Sequence, residues 1–299
     1  MKKIEVFGLG QCSLDYLAKI QNYPPPDTKC EFSEMAIQGG GPVATALVAL
    51  SRWGLSCAFS GVIGDDDWAT VIRQSLDEEG VDTRGLLTRI NSSSQFAFIL
   101  AEPGIGRRTI FWRRPTGLPP TPDEVPFHLL KRAKIFHTDG LFIESALAAA
   151  KTAKDAGVLV SVDAGTLREG MLDLARLSDC FITSESFSRS LSGGDDPREV
   201  CKRLSELGPR IVGVTLGAKG YVGFVEGRWI QKPACPVETI DTTGCGDLFH
   251  AGFIFGLHQK WDNEKCFVFA AWSAARVSLR LGGRSGIPTR EEMKKQGFV

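Results

Sequence analysis

The run Asp241-Thr242-Thr243-Gly244-Cys245-Gly246-Asp247, followed by the helical pattern Leu248-Phe249-His250-Ala251-Gly252-Phe253, decides how this chain reads. Glycines let backbone come close to a ligand, the first N–H groups of a helix lack an intrahelical acceptor, and an acid stands in the first turn. The helix dipole adds about half a positive charge at that end, so the stretch predicts an anion site made of backbone donors. Asp247 in such a place can take a proton from an attacking hydroxyl, a role worth about 10²–10⁴-fold in rate. The residues alone also allow an acid favoured by the dipole, beside glycines that only shape a turn.

Upstream of this run, short β-branched stretches alternate with longer helical patterns, which predicts an α/β fold around a largely parallel sheet. Expected strands are Ile4–Gly8, Cys57–Val62, Ala133–His137, Val158–Asp163, Cys180–Thr183 and Arg210–Thr215. Expected helices are Val43–Trp53, Trp68–Glu79, Glu144–Ala156, Pro197–Leu207, Cys245–Leu257 and Glu264–Leu281, several closing at a glycine. Two stretches break the rhythm. Residues from Pro24–Pro26 through Lys29–Ile37, and again Gln95–Trp112 with a turn at Pro103-Gly104-Ile105-Gly106, read as an antiparallel excursion from one single domain.

Composition narrows the function. The chain has 299 residues, 43% of them hydrophobic and 23% charged, and Lys+Arg and Asp+Glu each total 35, so no net charge draws it to nucleic acid or an anionic membrane. The apolar run after Met1-Lys2-Lys3 is too short for a signal-peptide core, and no segment reaches the ~18 apolar residues of a membrane helix. No two of the eight cysteines have the C-x-x-C spacing of a zinc or redox site, which reads as reduced thiols in a cytoplasmic protein. There is no G-x-x-x-x-G-K-[ST], and the four histidines form neither an H-E-x-x-H nor a triad-like set; His250, one helical turn beyond Asp247, is singled out for its position.

The D-T-T-G-x-G-D run before an apolar helix resembles the carboxy-terminal signature of the ribokinase-like, or PfkB, carbohydrate kinases. Further matches occur in order along nearly the whole chain: Gly39-Gly40-Gly41, Gly61-Val62-Ile63-Gly64-Asp65-Asp66, Val214-Thr215-Leu216-Gly217-Ala218-Lys219-Gly220, and Leu281 through Thr289. The resemblance implies a ribokinase-like three-layer sandwich with a small β-sheet lid, formed by about 12–38 and 93–114. It also implies ATP-dependent phosphorylation of a hydroxyl on a sugar or sugar derivative, with Mg²⁺. By it, Asp247 is the general base and Gly244, Cys245 and Gly246 supply the anion hole. Thr215, Gly217, Gly220 and Thr243 face the nucleotide. Asp15, Gly40, Gly41 and Thr45 face the acceptor, and the lid pairs two subunits through Phe96, Phe98, Phe111 and Trp112.

The chain also departs from the family pattern. Thr45 replaces the usual Asn after the triple glycine, and Ser184-Glu185-Ser186-Phe187 replaces an Asn-x-x-Glu motif, leaving Glu185 as the candidate toward metal. Asp241 and Thr243 match part of a monovalent-cation site, which leaves K⁺ open. Gly-Gly-Gly-Pro-Val-Ala-Thr, Phe249-His250 and Gly-Gly-Arg-Ser-Gly-Ile-Pro are most similar to the sulfofructose-kinase branch. Among Arg107, Arg108, Arg113 and Arg114, a guanidinium can grip a phosphate or carboxylate on the acceptor, and Arg113 is taken as that residue.

Other readings are a nucleoside or sugar-phosphate kinase of the same family and a catalytically silent sugar-binding protein. An NAD(P)-dependent oxidoreductase is a third, suggested by Gly8-x-Gly10 after the first strand, where Ser13 stands in place of the third glycine.

Overall fold

The computed structural model describes residues 3–103, 106–194 and 196–299. Its strands are β1 (Val6–Leu9), β2 (Ser13–Ile20), β3 (Phe32–Gly40), β4 (Cys57–Ile63), β5 (Asp82–Thr88), β6 (Phe96–Glu102), β7 (Arg107–Arg113), β8 (Ile135–Thr138), β9 (Leu159–Ala164), β10 (Cys180–Ser184), β11 (Ile211–Thr215), β12 (Tyr221–Val225) and β13 (Arg228–Lys232). The helices are α1 (Pro42–Arg52), α2 (Asp67–Asp77), α3 (Phe127–Leu130), α4 (Ile143–Asp155), α5 (Met171–Leu177), α6 (Glu185–Ser192), α7 (Pro197–Ser205), α8 (Cys245–His258), α9 (Asn263–Val277) and α10 (Arg290–Lys295).

Nine strands form one sheet in the order β13-β12-β11-β10-β9-β8-β1-β4-β5, parallel except where β12 pairs with β11 and β13. Side chains alternate across a strand, so neighbouring residues feed different cores. Val6, Ile135 and Phe59 pack with α1, α2, α8 and α10, whereas Phe7, Phe136 and Val160 pack with α3, α4, α5 and α7. Three layers result, as the sequence predicts. Helix α8 is buried over most of its length, from Leu248 to Gly256, which is why its apolar residues run all the way round it.

The excursion is a four-stranded sheet in the order β3-β2-β6-β7, with β2 and β6 parallel and the outer pairs antiparallel. The expected lid of about 12–38 takes in β2, although Ser13–Ile20 is not named as a strand in the sequence, and the expected extended stretch from Lys29 begins before β3. Of the expected hairpin turn, Gly104 and Ile105 lie outside the described residues. Helix α9 stops at Val277, short of Leu281, because the Ser278 carbonyl accepts from the backbone N–H groups of Ile240 and Asp241.

Two expectations acquire a structural explanation. Asp65 accepts from the backbone of Asn91 and Ser92, while Asp66 caps α2 and binds Ser94, so the Gly64-Asp65-Asp66 match is a loop clamp. After β1 the chain enters β2 and no helix begins at Gly8-x-Gly10, so the dinucleotide reading lacks the helix N-terminus it needs.

Candidate active site

Parallel strands bring their carboxyl ends to one edge, where open α/β sheets hold ligands. At this edge lie Asp139 after β8, Asp163 near the end of β9, Glu185 after β10 and the Thr215–Gly220 turn after β11. The head of α8 arrives over the same edge. Gly244 is its N-cap with φ 81°, and a Cβ there would stand 2.5 Å from Gly283 Cα, so backbone crowding as well as conformation requires glycine. Gly246, by contrast, faces open space, and its amide and that of Asp247 belong to the first helical turn with no intrahelical acceptor. Cys245 contributes backbone only: its N–H donates to the Thr242 carbonyl at 3.3 Å and burial pushes its thiol up to about 12.

Asp247 is partly buried and its carboxyl is pushed up to about 7. Burial is the main cause and the charge of Asp163 adds to it, while His250 and Arg108 pull the other way and Asp15 adds a smaller push. A carboxylate held near neutrality can both take and release a proton at ordinary pH.

Asp15 lies on β2, which antiparallel pairing sets beside Gln38, with the triple glycine immediately beyond. The Ser13 hydroxyl donates to Asp15 Oδ1 at 2.7 Å, and a Cβ on Gly40 would meet Asp15 Oδ2 at 2.0 Å, so the acid is fixed against bare backbone. Burial raises its pKa, with the Ser13 bond and the charge of Arg284 opposing. Arg284 is itself buried and pushed down to about 10; its backbone N–H donates to Gln38 Oε1 and its Nη1 to Ser75 Oγ, tying the closing segment to β3 and α2. Gly41 has φ 93° at the start of α1, and Thr45 is buried one turn along, its Cγ2 facing Gly283.

Thr215 ends β11 with its hydroxyl donating to the Thr183 carbonyl, and the Gly217 and Gly220 turn follows at φ 57° and 94° with open space beside Gly217. Three of the residues singled out in the sequence already have partners within the chain. Thr243 sends both its N–H and its hydroxyl to Asp241 Oδ1, at 2.9 and 2.8 Å, while Asp241 Oδ2 accepts from the Gly282 N–H. Asp241 is fully buried and its oxygens are filled by these donors, which makes the pair a clamp between the loop and residue 282. Glu185 is engaged by Arg189 at 2.7 Å and Lys219 at 3.3 Å. Among the described residues no group of three or more His, Cys, Asp or Glu is arranged to hold a metal ion.

The arginine expectation shifts by strand parity. Arg113 pairs with Phe96 and through it with Leu14, whereas Trp112 pairs with Ala97 and through it with Asp15. Arg113 therefore sits on the face opposite Asp15. Arg108 sits on the Asp15 face, its Nη1 donates to Thr242 Oγ1 at 2.5 Å, and its charge reaches Asp247 and Cys245. The four aromatic residues expected at a subunit contact divide in the same way: Phe98 and Phe111 are half exposed on the outer face, Phe96 on that face packs on Trp68 at 4.3 Å, and Trp112 looks inward.

Sequence reading gave no role to Asp139, Asp163 and His137. Asp139 is buried, accepts from the backbone of Gln11 and Leu141, and is pushed by burial up to about 6. Asp163 Oδ1 lies 3.2 Å from His250 Nε2. An acid at the end of a buried strand followed by Arg168 was the available signal, since charged residues are seldom buried without a partner.

An α/β sandwich with a large, mostly parallel sheet and a second, four-stranded sheet is the ribokinase-like fold. The pfkB family carbohydrate kinase profile matches residues 1–290, and the chain belongs to that family. It is similar to fructokinase-2 of Oryza sativa subsp. japonica, 30% identical over 84% of this chain and 82% of the relative. It is also similar to an ATP-dependent ribose-1-phosphate kinase of Halopiger xanaduensis, 27% identical over 96% of each chain. Among solved structures it superposes on Arabidopsis thaliana ribokinase complexed with ribose and ATP, with TM-score 0.83 and 22% identity over 98% of each chain. The adenosine kinase from Sinorhizobium meliloti gives TM-score 0.84 and 18% identity over 100% of each chain. No helix among the described residues is long and apolar enough to cross a membrane.

Proposed function

We propose that this carbohydrate kinase transfers the γ-phosphoryl group of ATP to a hydroxyl of a sugar or sugar derivative, with Asp247 as the general base. The observation that carries the reading is the pairing of a carboxyl pushed up to about 7 with the open amide-lined head of α8. The names of the relatives, fructokinase, ribose-1-phosphate kinase and ribokinase, support a sugar-like acceptor.

The acceptor lies between Asp15 and Asp247, with Gly40 and Gly41 offering close backbone and Thr45 at the pocket wall. Asp15, held still by Ser13, takes hydrogen bonds from sugar hydroxyls. The small sheet acts as the lid over it, Trp112 and Ile110 excluding water from above. Asp247 removes the proton of the attacking hydroxyl, and the amides of Gly244, Gly246 and Asp247 meet the charge spreading over the transferring phosphoryl. Arg108, reaching from the lid to Thr242, adds a cation above that charge.

The open space beside Gly217 fits the nucleotide, since a side chain there would fill the approach, while Gly220 is required by crowding against the Lys232 carbonyl. For Mg²⁺ the residues fit a metal carried chiefly by the phosphates, with Glu185 reached through water, since Arg189 and Lys219 both pair with its Oε1. Mg²⁺ when bound neutralises phosphate charge. The filled oxygens of Asp241 give no support to K⁺ there. The outer lid face, where Met35, Ile37, Phe98 and Phe111 are exposed, is the surface on which a second copy would close to form a homodimer.

The test is ADP release with ATP and Mg²⁺ across neutral sugars, sugar phosphates, sugar acids and nucleosides, for the natural chain and Asp247→Asn. ADP formation dependent on one acceptor class and lost in Asp247→Asn sustains the reading. Nucleotide binding with no phosphorylated product from any acceptor sinks it.

A further inference from the structure

Beneath Asp247 lies a set of buried ionisable side chains that the proposed reaction leaves without a role. His137, Ser161 and Asp163 alternate with Phe136, Val160 and Val162 along β8 and β9, so they point to the face of the main sheet that α8 covers. From α8, His250 comes down onto them: its Nε2 is 3.2 Å from Asp163 Oδ1, and its ring centroid is 5.7 Å from that of His137. His137 in turn shares a hydrogen bond with the Ser161 carbonyl at 3.2 Å. All three ionisable groups are nearly closed to solvent, with exposures of 0% for His137, 9% for Asp163 and 4% for His250.

A buried carboxylate is costly without a partner, and Asp163 has one in the His250 ring 3.2 Å away. Burial works to raise the Asp163 pKa, yet the charge and hydrogen bond of His250, with His137 and Arg168 assisting, hold it below the ordinary carboxylate range. His250 and Asp247 are three residues apart on α8, hence on one helix face and within reach of the same field. The charge of Asp163 pushes the Asp247 acid up and His250 pulls it back.

We propose that the Asp163–His250 pair is a positioning unit for the reaction, fixed by its buried contact beneath Asp247 and so setting the pH at which that carboxylate can accept the acceptor's proton. Neither residue touches the substrate. The other groups that face Asp247 are Arg108 from β7, Asp15 from β2 and Cys245 from its own helix; those that face the pair are His137 from β8, Asp139 from the loop after β8, and Arg168 from the loop after β9. Arg108 and Asp15 belong to the lid sheet and contribute from above. The pair is the part of the field that comes from the rigid floor.

This rests on Asp247 being the base, and the experiment separates the two. The pH dependence of kcat for ADP release is measured for the natural chain, His250→Gln and Asp163→Asn. Absence of turnover in the natural chain would count against the kinase reading itself. Given turnover, the expected result is an acid limb that moves up by about one pH unit in His250→Gln, so that the activity lost at pH 7 returns at pH 9. In Asp163→Asn the limb moves to lower pH, because the acid whose charge pushes Asp247 up is gone. Opposite shifts from two neighbouring buried residues are not what a packing defect produces. An acid limb fixed at its natural position in both variants, whatever their overall activity, overturns the proposal. If His250→Gln does not fold, Asp163→Asn decides alone: a limb moved down supports the pair, and a limb unmoved or moved up overturns it.

Discussion

Asp247 at the head of α8 and Asp15 on the small sheet are two acids that burial makes weaker, and each stands beside backbone stripped to glycine. They are held in different ways. Asp15 is pinned by the Ser13 hydroxyl and pressed against Gly40, with the Arg284 charge behind it. Asp247 is raised by burial and acted on by nearby charges, with no hydrogen bond to its carboxyl among the described residues. A group that must exchange a proton has to be left unbonded and near neutrality, whereas a group that must orient hydroxyls has to be held still. Each substitution below breaks one side of that contrast.

The largest effect is expected at Asp247. Asparagine there removes the proton acceptor, so kcat should fall about 10²–10⁴-fold or more while nucleotide affinity, read by calorimetry, stays close to natural. The same change should stabilise the fold at high pH. A carboxyl raised from its ordinary value to about 7 binds more protons folded than unfolded; its contribution to stability is complete below the unfolded value and is lost as pH rises through 7. Asp247→Asn should therefore melt several degrees above the natural chain at pH 8 and level with it near pH 4, at about 2–4 °C for each kcal/mol. A variant that is inactive and no more stable at pH 8 would mean that Asp247 is not strained in the folded state.

Gly244→Ala comes next, acting on the amides and leaving the acid alone. A side chain at φ 81° costs about 1–3 kcal/mol, and here it would also press on Gly283. Both the melting temperature and kcat should drop, and a differential scan with parallel kinetics would reveal either effect without the other.

The head of α8 was legible in the sequence because one local run carries the glycines, the helix start and the acid together. The parallel sheet was legible for a similar reason, since β-branched runs such as Val158–Asp163 can hardly be anything else. What the sequence withheld is what depends on two distant elements meeting. Arg108 and Arg113 differ only in which side of β7 they leave, and that parity follows from a hairpin register no local pattern encodes. Asp241 looked like an ion ligand until the Gly282 N–H and Thr243 filled its oxygens. The Asp163–His250 contact joins β9 to α8, and nothing in either segment alone announces it.

Asp15→Asn tests the pinned acid. A hydrogen bond to a charged group is worth about 1.5–3 kcal/mol, so KM for the acceptor should rise about 10–100-fold, with a smaller fall in kcat. An equal loss in kcat with unchanged KM would move Asp15 from binding into the chemical step.

The smallest effect, and the one that decides the geometry of the lid, is the pair Arg108→Ala and Arg113→Ala. Both side chains are exposed arginines on β7, so general loss of charge is common to the two. Only Arg108 reaches across to Thr242 on the loop that leads into α8. Its removal should lower kcat/KM about tenfold, and more steeply at low than at high ionic strength, because a partly solvated cation acts through a screened field. Arg113→Ala should match the natural chain at every salt concentration, since strand parity sends it to the outer face with Phe111 and away from Asp15. Equal losses from both would show that the lid works by net charge alone, and a larger loss from Arg113 would require a register shifted by one residue, which would also turn Trp112 outward.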